Sequence, residues 1–168
     1  MPMRFRTLSL VALSCGAFVV LGGQPCAAQQ AAAQQSARQP RAIELEKLTW
    51  VDNPNIPAGS KIAWLVGGPG QAALYTFRVR FPGNYRVMPH THPDDRVYTV
   101  VSGNWSIGLG TTFDSAAAKF YPPGAVYFLP ANTPHFHLSP SESVAQVTGP
   151  GPTATVYVNA ADDPRRKP

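Results

Sequence analysis

From residue 62 onward the chain alternates short apolar runs with turn residues. Tyr75, Phe77, Val79 and Phe81 alternate with Thr76, Arg78 and Arg80. That period of two predicts a half-buried strand, stopped by Pro82-Gly83. A run over residues 62–66 ends at Gly67-Gly68-Pro69-Gly70, and residues 97–101 and 105–109 flank Ser102-Gly103-Asn104 as a hairpin would. Trp105, Ile107 and Leu109 alternate as a core stripe. Further short runs follow at 120–121, 125–129, 136–138, 144–148 and 155–158, separated by turns such as Pro122-Pro123-Gly124. Eighteen prolines, most of them between the runs, exclude long helices. The pattern predicts an all-β domain, a sandwich or barrel. Residues 44–51 supply a short helix or an outer strand, and the Gly-Pro turns lack the lysine and hydroxyl of a phosphate loop.

The ends read differently. Arg4 and Arg6 precede an apolar run over residues 8–21, and small residues Cys26-Ala27-Ala28 follow Gly22-Gly23 and Pro25. This is the layout of a secretory signal peptide over residues 1–28. The run falls short of the roughly 20 residues of a membrane helix. An exported protein is therefore expected, in the periplasm or secreted, with no stable membrane insertion after cleavage. An uncleaved anchor fits the same flank, and Cys15 offers a less favoured lipidation site. Cleavage after Ala28 removes both cysteines, which excludes disulfides and thiolate ligands from the mature chain. Residues 29–41, mostly Ala and Gln, read as a flexible tether, residues 42–160 as one domain, and 161–168 as a basic polar tail. The net charge of +5 comes from the ends, because residues 42–160 hold seven basic and seven acidic side chains. No basic stripe for nucleic acid remains.

All four histidines fall into two equal spacings, His90-Thr91-His92 and His135-Phe136-His137. In strand-like sequence, residues two apart share a face. Two imidazoles from one strand and a third from a facing strand can converge on a divalent metal and leave room for water.

The run from Gly83 through His90, His92 and Arg96 to Gly103 resembles the first conserved motif of the cupin superfamily. Gly124, Pro130 and His135 resemble the second, with Asn132 in place of a glycine and Ser139 in place of a terminal asparagine. The type is that of small single-domain bacterial cupins, ChrR-like or general. The resemblance implies a cupin-type antiparallel β-barrel, or jelly roll, and a homodimer made by packing or exchanging strands. It also implies a divalent transition metal (Zn, Mn, Fe or Ni) on His90, His92 and His135. The family's glutamate ligand is replaced here by Arg96.

A cation in a ligand's place repels a metal in a low-dielectric interior. Three arrangements are open: Asp94 or Asp95 pairs with Arg96, an aspartate (Asp94 first) replaces the missing ligand, or Arg96 itself binds an anionic ligand. Arg96 and Tyr98 share a face and, with His137, are the candidate catalytic residues. His137 is alternatively a fourth ligand or a packed polar residue. Tyr98 and Gln146 are candidate pocket donors, and Met88 is core filler. The functions these readings allow are a metal-dependent enzyme (dioxygenase, isomerase or lyase) acting on a small anionic organic molecule, or a non-catalytic periplasmic binding or sensor module for such a ligand or a metal.

Overall fold

The alternation in β3 (Leu74–Phe81) sets the plan of the domain. Tyr75, Phe77, Val79 and Phe81 are all buried, while Thr76, Arg78 and Arg80 between them are not. Around it the computed structural model, which describes residues 40–166, forms β1 (Val51–Asp52), β2 (Lys61–Val66), β4 (Tyr85–Thr91), β5 (Arg96–Gly103) and β6 (Trp105–Leu109). Then come β7 (Lys119–Tyr121), β8 (Val126–Leu129), β9 (His135–Ser139), β10 (Ser143–Pro150) and β11 (Val156–Tyr157). The chain divides into a unit Met1–Ala42 and a unit Ile43–Pro168, and every strand among the described residues lies in the second. The expected signal peptide, and all of the tether but Pro40 and Arg41, lie outside the described residues. No helix among the described residues is long and apolar enough to cross a membrane.

The strands make two antiparallel sheets, ordered β1-β2-β3-β10-β5-β8 and β11-β4-β9-β6-β7. One core joins them: Tyr75, Phe77, Phe81, Val100 and Val147 from the first meet Tyr85, Val87, Trp105 and Ile107 from the second. Phe81 stacks on Trp105 across the interface, with centroids 4.5 Å apart and planes 13° from parallel. Burying a side chain of this size stabilises the fold by about 1.5–3 kcal/mol.

The expected β-barrel does not form. Neither sheet closes: β1 and β8 are the edges of one, β11 and β7 of the other. The edge strands are too short to bridge the gap, at two to four residues each. Pro122-Pro123 between β7 and β8 removes two amide donors where closure would need them. The expected hairpin at Ser102-Gly103-Asn104 is also absent. β5 and β6 belong to different sheets, and Gly103 (φ +73°) turns the chain from one to the other. The stripe Trp105-Ile107-Leu109 holds for its first two members only, since Leu109 is 58% exposed at the end of β6.

Residues 44–51 supply both expected features, a 3₁₀ turn at Leu45–Lys47 and the outer strand β1 on β2. The basic tail is partly docked. Arg165 donates to Asp163 (2.8 Å), to the Thr155 carbonyl (3.0 Å) and to Asn55 Oδ1 (3.4 Å), which joins segments far apart in sequence.

A Cβ at Gly103 would run into the backbone carbonyl of Glu142, and the positive φ disfavours any side chain. Gly103→Ala is expected to lower stability by about 2 kcal/mol or more. Asn132 also adopts a left-handed conformation (φ +58°), which asparagine tolerates and glycine adopts freely. Asn132→Gly should therefore stay within about 0.5 kcal/mol of the parent. Urea unfolding checks both, and a Gly103→Ala protein with the parent midpoint would contradict this account of the sheet switch.

Candidate metal centre

β4 and the residue that follows it carry two histidines, His90 and His92, on the wrong parity for the core residues of the strand. Tyr85 and Val87 point inward, so strict alternation would turn His90 outward. The pairing with β9 resolves this. Val87 lies opposite His137 and His90 opposite His135, so β4 takes three steps where β9 takes two. The extra residue falls at Met88-Pro89, where proline has no amide to give the ladder. Past this bulge His90 and His92 both face inward and are buried.

A turn from the other sheet fixes the facing histidine. The amide of Asn132 donates to the His92 carbonyl (2.7 Å), and the amide of Ala131 to Asp95 Oδ1 (2.7 Å). Asn132 adopts the left-handed conformation that this turn needs (φ +58°). β9 then starts at His135.

The four imidazoles make one cluster. Ring centroids lie 4.3 Å apart for His90–His135, 4.9 Å for His90–His92, 5.1 Å for His92–His135 and 5.1 Å for His135–His137. His90, His135 and His137 bring one ligand nitrogen each within 4.8 Å of one another. His92, expected in that trio, stands beside it, and His137 takes its place. Three rings are oriented by the backbone. Nδ1–H of His90 donates to the Met88 carbonyl (2.8 Å), that of His92 to Ala154 (2.7 Å) and that of His135 to Thr133 (3.0 Å). Because a carbonyl only accepts, these bonds put the proton on Nδ1 and leave Nε2 as a lone-pair donor. Nε2 of His135 and Nδ1 of His137 are buried with no protein partner. Burial pushes every one of the four pKa values down, to about 4 for His135. The charge of Arg96 adds to this at all four, and at His92 it is the largest cause after burial. The imidazoles are neutral at pH 7, the form a metal binds. Buried, neutral, unpartnered nitrogens fit a divalent transition metal.

Arg96 and Asp94 realise the first of the three open arrangements. Arg96 Nε donates to Asp94 Oδ2 at 3.0 Å, with both side chains more than nine-tenths buried. Arg96 Nη2 reaches Thr153 Oγ1 and the Ala154 carbonyl, and Asp94 also accepts from Tyr75 OH and from Thr153 Oγ1 (2.7 Å). The Asp94 carboxylate, expected as a replacement ligand, is thus held by three other side chains and does not belong to the histidine trio. Asp95 points the other way, to the turn at Ala131.

A cavity of about 570 Å³, open mouth included, runs between the sheets. His90, His92, His137, Arg96 and Tyr98 reach it, among walls of Trp64, Phe77, Phe81 and Trp105, while Asn53, Asn55 and Thr153 are partly buried and Pro69 and Ala154 are exposed at its rim. Tyr98 shares a buried face with Arg96, as alternation predicts, and burial raises its pKa so that it stays a phenol. Gln146, a candidate donor, faces outward and accepts from Arg78 Nε (3.4 Å). Met88 is only partly buried and contributes its carbonyl. Ser139 closes its strand end on Ser143 Oγ (2.5 Å). Trp105 is the wall residue that pattern reading assigned to packing alone.

No protein-family profile and no curated protein matches the chain. Solved structures do. The polyketide cyclase RemF from Streptomyces resistomycificus superposes with a TM-score of 0.62 at 18% identity, over 76% of this chain and 91% of that one. An RmlC-like cupin from Shewanella frigidimarina NCIMB 400 gives 0.54 at 19%, over 67% and 93%. The DMSP lyase DddQ from Ruegeria pomeroyi DSS-3 gives 0.54 at 17%, over 75% of each. At these identities the likeness is one of fold: the chain shares the all-β, two-sheet fold of these proteins.

Two outcomes follow from the electrostatics. Removing one partner of a buried ion pair strands the other charge, so Arg96→Met should cost about 3–5 kcal/mol. The double variant Asp94→Asn/Arg96→Met should recover part of that loss, and urea midpoints that simply add would contradict the pairing. The histidine pKa values are lowered on folding, so the unfolded chain binds protons that the folded one refuses as pH falls below 6.5. Metal-free protein should hold its full stability above pH 6.5 and lose it progressively towards about 4. An unfolding midpoint that is flat between 6.5 and about 5, where surface carboxylates are still ionised, would contradict the burial of these rings.

Proposed function

We propose that this protein is a metal-dependent enzyme of the cupin type, acting on a small oxygenated organic molecule held between its sheets. The observation that carries the reading is the buried trio His90, His135 and His137, kept neutral by burial with nitrogens within 4.8 Å of one another. His90, His135 and His137 would hold the metal, and His92 lies close enough to join or support them. A divalent metal there supplies Lewis acidity at a ligand oxygen. An all-nitrogen set suits zinc, whereas the set familiar for non-haem iron includes a carboxylate, and Asp94 is held elsewhere. Polar, non-redox chemistry of the isomerase or lyase kind is therefore the reading we favour over dioxygenation. Two proteins of similar fold are named as a polyketide cyclase and a DMSP lyase.

The chain's own groups would do the rest. Tyr98 offers a phenolic proton to a ligand oxygen, and His92, its Nδ1–H tied to Ala154, offers Nε2 as an acceptor near the mouth. Arg96 positions the wall through Thr153 and Ala154 rather than meeting a ligand with an open fork. We also propose export, on the residue pattern of positions 1–28, and membership of the general single-domain cupin type, on Gly83, His90, His92 and Gly103. A homodimer is supported by Leu74 on β3, Val97 on β5 and Val126 and Phe128 on β8, apolar and exposed on the six-stranded sheet.

Elemental analysis of untagged protein tests the core of this reading. About one equivalent of a transition metal per chain is expected. His90→Ala and His135→Ala should lose it, while Asp94→Asn keeps it. Metal-free protein that also refuses added Zn, Mn, Fe and Ni would overturn the proposal.

A further inference from the structure

Asn53 and Asn55 stand on the turn between β1 and β2, and both line the cavity while partly buried. Each has its side-chain oxygen engaged. Asn53 Oδ1 accepts from the backbone amide of Asn55 (3.1 Å), and Asn55 Oδ1 from Arg165 Nη1 (3.4 Å). A carbonyl oxygen only accepts, so these donors fix which way each side-chain amide faces. What remains on each residue is its NH2 group. Neither NH2 has an acceptor among the described residues, and neither is closed off from solvent as the unpartnered indole nitrogen of Trp105 is. Asp52 and Asp163 do not claim them, since Lys61 holds the first (2.6 Å) and Arg165 the second (2.8 Å). The backbone holds both donors in place. The Asn53 amide bonds the Ser60 carbonyl (3.2 Å), and the Asn55 carbonyl accepts from Tyr157 OH (3.1 Å).

The same cavity is walled by apolar Ile62, Phe77 and Phe81 and is reached by His90, His92 and His137. Tyr157 links its two ends. The Tyr157 OH meets Asn55, and the ring lies 5.7 Å from that of His90, which sets the asparagines a tyrosine's length from the histidines. A ligand that brings only carbon to the asparagines strips their amides of water and gives nothing back. We infer that Asn53 and Asn55 form a specificity subsite, which takes a carbonyl or carboxylate oxygen at the end of the ligand away from the histidines. The ligand class is then a short apolar body, one ring long, with an oxygen function at each end. This rests on the reading of the cavity as a ligand site. A pair of asparagines also serves the turn itself, through Oδ1. Aspartate separates the two roles, because it keeps Oδ1 for the Asn55 amide and for Arg165 but has no proton to give a ligand.

The test uses three probes of one shape, each with an acetyl group at one end: para-diacetylbenzene, para-acetylbenzoate and para-ethylacetophenone, whose second end has no acceptor. Isotope-labelled protein is titrated with its metal content measured alongside, and the side-chain NH2 cross-peaks of Asn53 and Asn55 are assigned by triple-resonance spectra. The diketone or the carboxylate should move those cross-peaks saturably and bind about tenfold more tightly than para-ethylacetophenone. Whichever of the two binds more tightly shows whether the distal oxygen is neutral or charged. Asn53→Asp and Asn55→Asp should unfold in urea as the parent does. Each should bind para-diacetylbenzene about tenfold more weakly and para-ethylacetophenone without change. The inference is overturned if both cross-peaks stay in place with all three probes up to their solubility limits. It is also overturned if para-ethylacetophenone binds as tightly as the other two, or if folded Asp variants bind the diketone as the parent does. The wild-type titration needs no variant, so a poorly folding one does not spoil the test. Probes that move the backbone amides of His92 and Trp105 but neither asparagine would overturn the subsite and leave the cavity as a ligand site. Loss of metal without loss of the asparagine shifts would count against the metal centre alone.

Discussion

A strand offers its side chains alternately to two faces, and β4 must satisfy two demands of opposite parity with one backbone. Tyr85 and Val87 belong to the core at odd positions, His90 and His92 to the site at even ones. Only an inserted residue reconciles them, and the bulge at Met88-Pro89 provides it. Everything in the site depends on that slip of register. It sets His90 opposite His135, frees the Met88 carbonyl to orient the His90 ring, and carries His92 to the point where Ala154 and Asn132 hold it. Removal of the bulge would return His90 to solvent while leaving the core intact.

The second organising feature is a charge balance. Arg96 is buried beside the histidines, and its neighbour Asp94 neutralises it within a closed network with Tyr75 and Thr153. The pair keeps a cation next to four imidazoles without leaving the interior charged. A dication bound by neutral imidazoles alone also keeps its full double charge, where a glutamate ligand would have halved it.

Local patterns were readable in the sequence and global ones were not. The alternation of β3 and of Arg96 with Tyr98 is intrinsic to a strand and survived into the structure, as did the convergence of both histidine pairs. Sheet closure is a property of edges, and the shortness of β7, β8 and β11 gives no signal in a window of residues. The turn at Gly103 looks like a hairpin because a sheet switch and a hairpin ask for the same glycine. His137 entered the trio in place of His92 because β4 ends at Thr91, so that His92 starts the crossing to the other sheet. Trp105 was hidden by its own hydrophobicity: an indole reads as core until its N–H is seen to lack a partner.

Strand order has a consequence for the time course of folding. β10 sits between β3 and β5, at the middle of the six-stranded sheet, yet its residues 143–150 are synthesised after both. Until they emerge, β3 and β5 each lack a neighbour, and their unpaired edges are open to other chains. The β1-β2-β3 part and the β5-β8 part of the sheet are therefore joined in one late step, when β10 is admitted between them. Contacts between residues this distant make that step slow. The protein's vulnerable interval is the one before its tenth strand arrives.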